Sequence, residues 1–309
     1  MKQFLLLFIL IWSSILVSAQ DFSNKGKDFW VGYGYHQQMT NTGGGGGGGG
    51  GQPGGSQSMV LYFATDQVTN ITITIPGIGY TQTLTSGAVP TVLTSSPIPK
   101  IAPQDARLLT ESTAPENKGI HIQADKPIVA YAHIYNQSVS GACILFPTST
   151  LGKEYYSINY TNYSNTPDAN CWFYVIATDT GTTQIEITPS AATINHAANV
   201  PFTVTLTQGQ IFNVMGTFNN GSNPQQGVDL TGSKIKSIAT PTGGCKRIAV
   251  FSGSGRISLT CNGTSSSSDN YMAQALPKTA WGKNYLTIPA AGYNNNAVGI
   301  PFSYNIYRI

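Results

Sequence analysis

The chain has 309 residues, only 9% of them charged, and a formal net charge of +3. No basic cluster stands out, so the electrostatic footprint of a nucleic-acid binder is missing. Asn, Thr, Ser, Gly and Tyr carry the polar character instead, a composition that suits pleated sheet.

The chain opens on a leader. Met1-Lys2 gives a positive start, residues 4–17 are apolar except for Ser13 and Ser14, and Val17-Ser18-Ala19 is the small-residue pattern that a signal peptidase reads. Residues 1–19 are therefore read as a signal peptide, cleaved before Gln20. The run is short for a span of about 20 residues, and no later stretch is long enough. The mature chain is expected to lack a transmembrane segment and to be secreted, extracellular or at the cell surface.

Beyond the leader, nearly every segment predicts a strand. Residues 59–65 are apolar and β-rich, and Asn70 to Ile75 alternates strictly before Pro76-Gly77. Residues 119–123 and 127–135 follow, with a turn predicted at 124–126. Later strands are predicted at 171–178, 183–188, 202–206, 210–215 and 248–251. Helical periodicity never exceeds about two turns. Residues 41–57 differ: nine consecutive glycines, Gly43 to Gly51, offer nothing to bury and lose the most entropy on ordering. They are expected to form a disordered Gly-rich loop. No Lys and no helix follow, which excludes a phosphate-cradling loop.

An internal repeat organises the chain. Phe63-Ala-Thr-Asp66 recurs as Ile176-Ala-Thr-Asp179, each ahead of an alternating Thr/Ile strand that ends in proline. Lys126 to Ala132 matches Lys246 to Phe251, and Phe146 to Tyr156 matches Leu276 to Leu286. The segment 304–309 resembles 171–176, as though a third copy begins there. The predicted organisation is a first β unit over 20–148, a second over 149–275, and a truncated third from 276 to 309. The fold class is all-β, a tandem repeat of antiparallel sandwich-like units, with a β-propeller as the alternative.

Four cysteines in an exported chain predict disulfides. Short loops favour Cys143–Cys171 and Cys245–Cys261, with four buried free thiols as the alternative. No Cys/His spacing points to zinc. Asp66 and Asp179 sit at equivalent turns, where a carboxylate bonds nearby backbone N–H groups. A calcium ion there would need carbonyl ligands, since no acidic calcium loop occurs; no other cofactor is implied. Neither a nucleophile elbow nor a paired-carboxylate pattern is found, so the chain is not expected to be an enzyme, and a hydrolase is the remote alternative. His121, alternating with Ile120 and Ile122, is expected to face solvent. Aromatic clusters point to binding instead: Tyr33, Tyr35 and His36 among glycines, and Tyr160 and Tyr163 beside Asn and Ser, could stack on sugars or protein surfaces.

Several segments resemble the IgGFc-binding protein N-terminal domain family. They are Gly-Lys-Asp-Phe-Trp-Val-Gly-Tyr-Gly-Tyr-His at 26–36, Met-Val-Leu-Tyr-Phe at 59–63, Lys-Gly-Ile-His-Ile at 118–122, Pro-Ile-Val-Ala-Tyr-Ala at 127–132, Asp-Leu-Thr-Gly-Ser at 229–233 and Ile-Ala-Val-Phe-Ser-Gly at 248–253. The resemblance runs from about Asp21 to the last residue, and the leader and low charge resemble its Bacteroidetes-type bacterial members. The chain departs from them by its polyglycine stretch and by showing no C-terminal sorting region. The resemblance implies a surface or secreted adhesion module that recognises an extracellular glycan or glycoprotein. A structural spacer within a larger surface protein is the alternative.

Overall fold

The computed structural model describes residues 23–39, 54–160, 162–164, 169–217, 226–240, 243–258, 268–287, 291–292 and 300–301. The leader 1–19 and residues 40–53, which hold the nine glycines, lie outside them. The described chain is all-β with a few short 3-10 turns.

The first unit contains β1 (Lys25–Val31), β2 (Ser58–Thr65), β3 (Asn70–Ile75), β4 (Tyr80–Thr85), β5 (Thr91–Thr94), β6 (Ile120–Tyr135) and β7 (Ser140–Ile144). They form one seven-stranded antiparallel sheet, β4-β3-β6-β2-β5, with β1 and β7 on the other edge of β6. The turn predicted at 124–126 is not formed: β6 runs unbroken for 16 residues. Its first half pairs with β3 and β1, its second half with β2 and β7. A register shift between Gly26 and Asp28 lets β1 follow its bend. The sheet thereby folds over itself as a half-barrel. Ile71, Ile73 and Ile75, alternating along β3, all point into the core, as their period of two requires.

The second unit repeats this arrangement as two separate sheets. Here β8 (Glu154–Tyr156), β9 (Cys171–Ala177), β10 (Thr182–Thr188), β11 (Phe202–Thr207), β12 (Ile211–Met215), β13 (Lys234–Ile238), β14 (Ile248–Ile257) and β15 (Asp269–Gln274) build β8-β13-β10-β11 and β12-β9-β14-β15. The long β6 is thus replaced by two strands, β13 and β14. Pair by pair the ladders correspond. Tyr62 faces Tyr131 across β2–β6, and Tyr174 faces Phe251 across β9–β14. Phe29, Ile122 and Ile73 make one row, and Tyr155, Ile235 and Ile187 its counterpart.

The structure refines the repeat by one residue. Phe63 corresponds to Val175 rather than to Ile176, because both point into their own unit's core while Ile176 points out of it. The extra residue of the second copy is taken up before the Ala-Thr-Asp turn. Opening glycines also correspond: a Cβ at Gly26 would lie 2.3 Å from Pro147 Cβ, and one at Gly152 2.4 Å from Pro277 Cβ. The same opening occurs again at Gly282-Lys283-Asn284-Tyr285. Beyond residue 287 only four residues are described, so most of the predicted third unit lies outside the described residues.

The two units are not separate globules. Sheet β12-β9-β14-β15 is buried on both faces. One face (Phe173, Val175, Val250) packs on Ile185, Ile187 and Ile235 of its own unit; the other (Trp172, Tyr174, Ile176, Phe251) joins the core of the first unit. All seven residues of β9 are buried. An apolar strand without alternation is what burial on both faces demands.

Candidate functional site

The segment after β1 was expected to present Tyr33, Tyr35 and His36 to a ligand. These side chains are interior, with exposures of 0%, 2% and 0%. The segment lies across the outer face of β12-β9-β14-β15. The Tyr174 hydroxyl accepts from Gly32 N at 2.9 Å and donates to Gly32 O at 3.0 Å, and Trp172 Nε1 donates to Tyr35 O at 2.9 Å. His36 Nδ1 accepts from Gln38 N at 3.1 Å, so its Nε2 carries the proton and faces Val139 O at 3.4 Å. The glycines between the aromatics make room for Trp172 and Tyr174. These residues join the units, which corrects the expectation of a binding role.

Tyr160 is half-buried and meets Tyr271 edge-on, with centroids 6.1 Å apart. The backbone of Tyr163 pairs with Gln226; the Tyr163 side chain lies outside the described residues.

The Cys143–Cys171 disulfide is not formed, since both cysteines are free. Cys143, on β7, packs against the first unit's core, whereas Cys171, opening β9, belongs to the second unit's core. Burial pushes both thiols up to about 12. Cys171 Sγ donates to Tyr160 O at 3.0 Å. Cys245 is free and partly exposed, and Cys261 lies outside the described residues. Thiolates are the reactive form, so native protein treated with iodoacetamide at pH 8 is expected to label Cys245 and spare Cys143 and Cys171. Peptide mapping checks this; rapid alkylation of Cys143 or Cys171 would contradict the upward push on their thiols.

Two histidine–carboxylate pairs are structural ties. His121 Nε2 lies 2.7 Å from Asp28 Oδ2, and its ring stacks on Trp30 at 3.9 Å, so His121 is half-buried rather than solvent-facing. Glu111, fully buried at its side chain, accepts from Thr193 Oγ1, Asn195 N and His196 Nδ1 at 2.8–2.9 Å. It fastens the first unit's 106–119 segment to the second unit. Arg107 donates Nη1 to Gly54 O at 2.7 Å and to Met39 O at 3.5 Å, and pairs with Asp105. The flanks of the glycine-rich stretch are therefore held together whatever its length, since loop closure costs little more as a loop lengthens. Asp66 and Asp179 pair with cations at their equivalent turns, with Lys25 at 2.8 Å and Arg247 at 2.7 Å. Among the described residues, no three His, Cys, Asp or Glu side chains gather as metal ligands do.

An aromatic face that the sequence reading did not single out is the outward side of β5-β2-β6-β7. Tyr62, Tyr131, His133 and Tyr135 share it. Tyr62 and Tyr131 are direct cross-strand partners. His133 and Tyr135 stack at 4.7 Å, and Tyr62 approaches His133 with centroids at 6.0 Å and its hydroxyl 3.4 Å from Nδ1. Partial burial lowers the His133 pKa, which favours a neutral ring. Tyr131 is 37% exposed and Val92, on β5, 63%. At one end the face runs into a groove of about 570 Å³ lined by Lys25, Ala64, Thr65, Asp66, Pro90, Thr91, Val92 and Val129. Flat rings with polar tips beside an open groove suit stacking and hydrogen bonding at once. The alternation Val60, Tyr62, Ala64 and Tyr131, His133, Tyr135 was the signal that could have revealed this face.

Residues 141–309 match the family model described as IgGFc binding protein. The match starts within β7 and takes in the whole second unit. No curated protein and no solved structure matches the chain at a significant level.

Proposed function

The chain belongs to the IgGFc binding protein family, and from this premise we propose that it is an extracellular adhesion module that holds a protein or glycoprotein ligand without catalysis. The leader read at residues 1–19 supports export, and no helix among the described residues is long and apolar enough to cross a membrane. The observation that carries the binding reading is the contrast between two equivalent sheet faces. In the second unit, Trp172, Tyr174 and Phe251 are covered by the first unit. In the first unit, Tyr62, Tyr131, His133 and Tyr135 stand at the surface. Exposed aromatic patches of this kind mark contact sites.

The test is binding of the mature chain to immobilised immunoglobulin, mucin and a glycan panel by interferometry. The double variant Tyr62→Ala/Tyr131→Ala is expected to weaken the bound ligand at least tenfold, since aromatic anchors contribute about 2 kcal/mol or more each. Its melting temperature should stay close to that of the parent. Unchanged affinity would overturn the assignment of the face. The repeat itself favours a second reading, a spacer that projects other domains; that reading expects no ligand anywhere on the panel.

A further inference from the structure

The two units treat one sheet edge differently. In the second unit that edge is β12. Gly216 N donates to Cys171 O at 2.9 Å and Ala177 N to Gln210 O at 3.2 Å, so the ladder to β9 uses residues 210, 212, 214 and 216. The backbone groups of Ile211, Asn213 and Met215 point the other way, and each residue is met there. Glu116 N donates to Ile211 O and Ile211 N to Glu116 O, both at 2.8 Å, in an antiparallel bridge. Ser112 N donates to Asn213 O at 2.8 Å, and Asn213 N donates to Ser112 Oγ at 2.9 Å. Ile194 N donates to Met215 O at 2.9 Å. Residues 112–116 of the first unit thus lie along β12 as an added strand. All four of their bonds reach backbone atoms of β12; a β12 side chain adds one more, from Asn213 Nδ2 to Thr110 O.

The corresponding edge of the first unit is β5. Leu93 faces Phe63 as Phe212 faces Val175, so Val92 and Thr94 stand where Ile211 and Asn213 do. Ser95 N donates to Leu61 O at 2.9 Å. Residues 91, 93 and 95 are therefore committed to β2, and the N–H and C=O groups of Val92 and Thr94 point away from it. The third position is closed, as in the second unit: Ser96 N donates to Gln82 Oε1 at 3.1 Å, and Gln82 Nε2 to Ser96 Oγ at 3.0 Å. Among the described residues, nothing takes up Val92 and Thr94 on that side. Val92 is 63% exposed, and Thr94 is exposed. A strand laid there would set the side chain opposite Val92 at the mouth of the groove that Ala64 and Val129 line.

We propose that the edge of β5 takes an extended peptide of a partner protein as an added antiparallel strand, one that carries, like Ser112 and Glu116, a hydroxyl residue four positions before an acidic one. Ser112 Oγ donates to Glu116 Oε1 at 2.6 Å, which shapes the added segment from within. Because that segment reads β12 almost wholly through its backbone, β5 offers the same pattern despite different side chains. The chain's own copy is engaged at β12, so the peptide comes from outside. Such recognition draws affinity from main-chain bonds and selectivity from alternate side chains. It is independent of the aromatic face.

The probe is a synthetic peptide with the sequence of residues 110–117, titrated to about 5 mM into the isotope-labelled mature chain and followed by NMR. Saturable shifts of the Val92 and Thr94 amides are expected. Val92→Pro removes the outward N–H, leaves residues 91 and 93 to hold the ladder, and should weaken binding about tenfold or more at an unchanged melting temperature. N-methylation of the peptide at the residue matching Glu116 should abolish binding. The same change at the residue matching Thr113, an exposed position, should not. No saturable shift, binding indifferent to Val92→Pro, or equal effects of the two N-methyl groups would overturn the proposal. A peptide that ignores Val92→Pro but is lost with Tyr62→Ala/Tyr131→Ala would overturn the edge and leave the aromatic face standing.

Discussion

Gly34→Val is expected to destabilise the protein by about 3 kcal/mol, through overpacking at the junction of the two units. The first added atom would sit 2.5 Å from Trp172 Cη2 and 2.7 Å from Cζ2. The indole cannot retreat. Gly253 lies on its other side, where even a Cβ would come within 2.2 Å of Cζ2. Tyr174 stacks beside it at 5.5 Å, and Nε1 is held by Tyr35 O. Displacing the ring breaks that hydrogen bond and uncovers the outer face of β9, so the loss should spread across both units. Urea denaturation followed by tryptophan fluorescence measures the change. Trp172→Leu in the Gly34→Val background should recover part of it, since contacting residues couple in a double-mutant cycle. Strict additivity would show that the two side chains do not meet.

Lowering the pH from 7 to 4 should remove about 3 kcal/mol through His36 alone. Burial, with a smaller contribution from the Arg256 charge, holds its pKa down at about 4, against an ordinary value of 6.5. Between these values the unfolded chain binds a proton at this site and the folded chain does not. The stability from neutral His36 is therefore complete above pH 6.5 and is lost as the pH falls toward 4. Burial raises the pKa of Asp28 and Asp105, but hydrogen bonds and charge from His121 and Arg107 outweigh it and leave both below the ordinary carboxylate value. Their contributions disappear only at lower pH. His36→Asn, whose amide oxygen can accept from Gln38 N, should flatten the curve between pH 6.5 and 4. A variant as pH-sensitive as the parent would assign the effect to another group.

Both effects arise where the two units meet, and there the sequence was hardest to interpret. Strand positions follow from local pattern: Ile71, Ile73 and Ile75 alternate, and a period of two is a property of the strand itself. The all-β class, the repeat and the family resemblance were legible for the same reason, because each depends on residues near one another in the chain. The run Cys171 to Ala177 was legible as a strand, but that it is covered on both sides came from the structure. What covers it was not legible. Tyrosine and histidine have apolar bodies and polar tips, so Tyr33, Tyr35 and His36 look alike in sequence whether they face a ligand or a neighbouring sheet. Only the tertiary structure, bringing Trp172 and Tyr174 from some 140 positions away, placed them inside. The same holds for Cys143 and Cys171, near in sequence yet lodged in different cores. Local pattern determined which residues point the same way; packing between distant strands decided which of those faces met water.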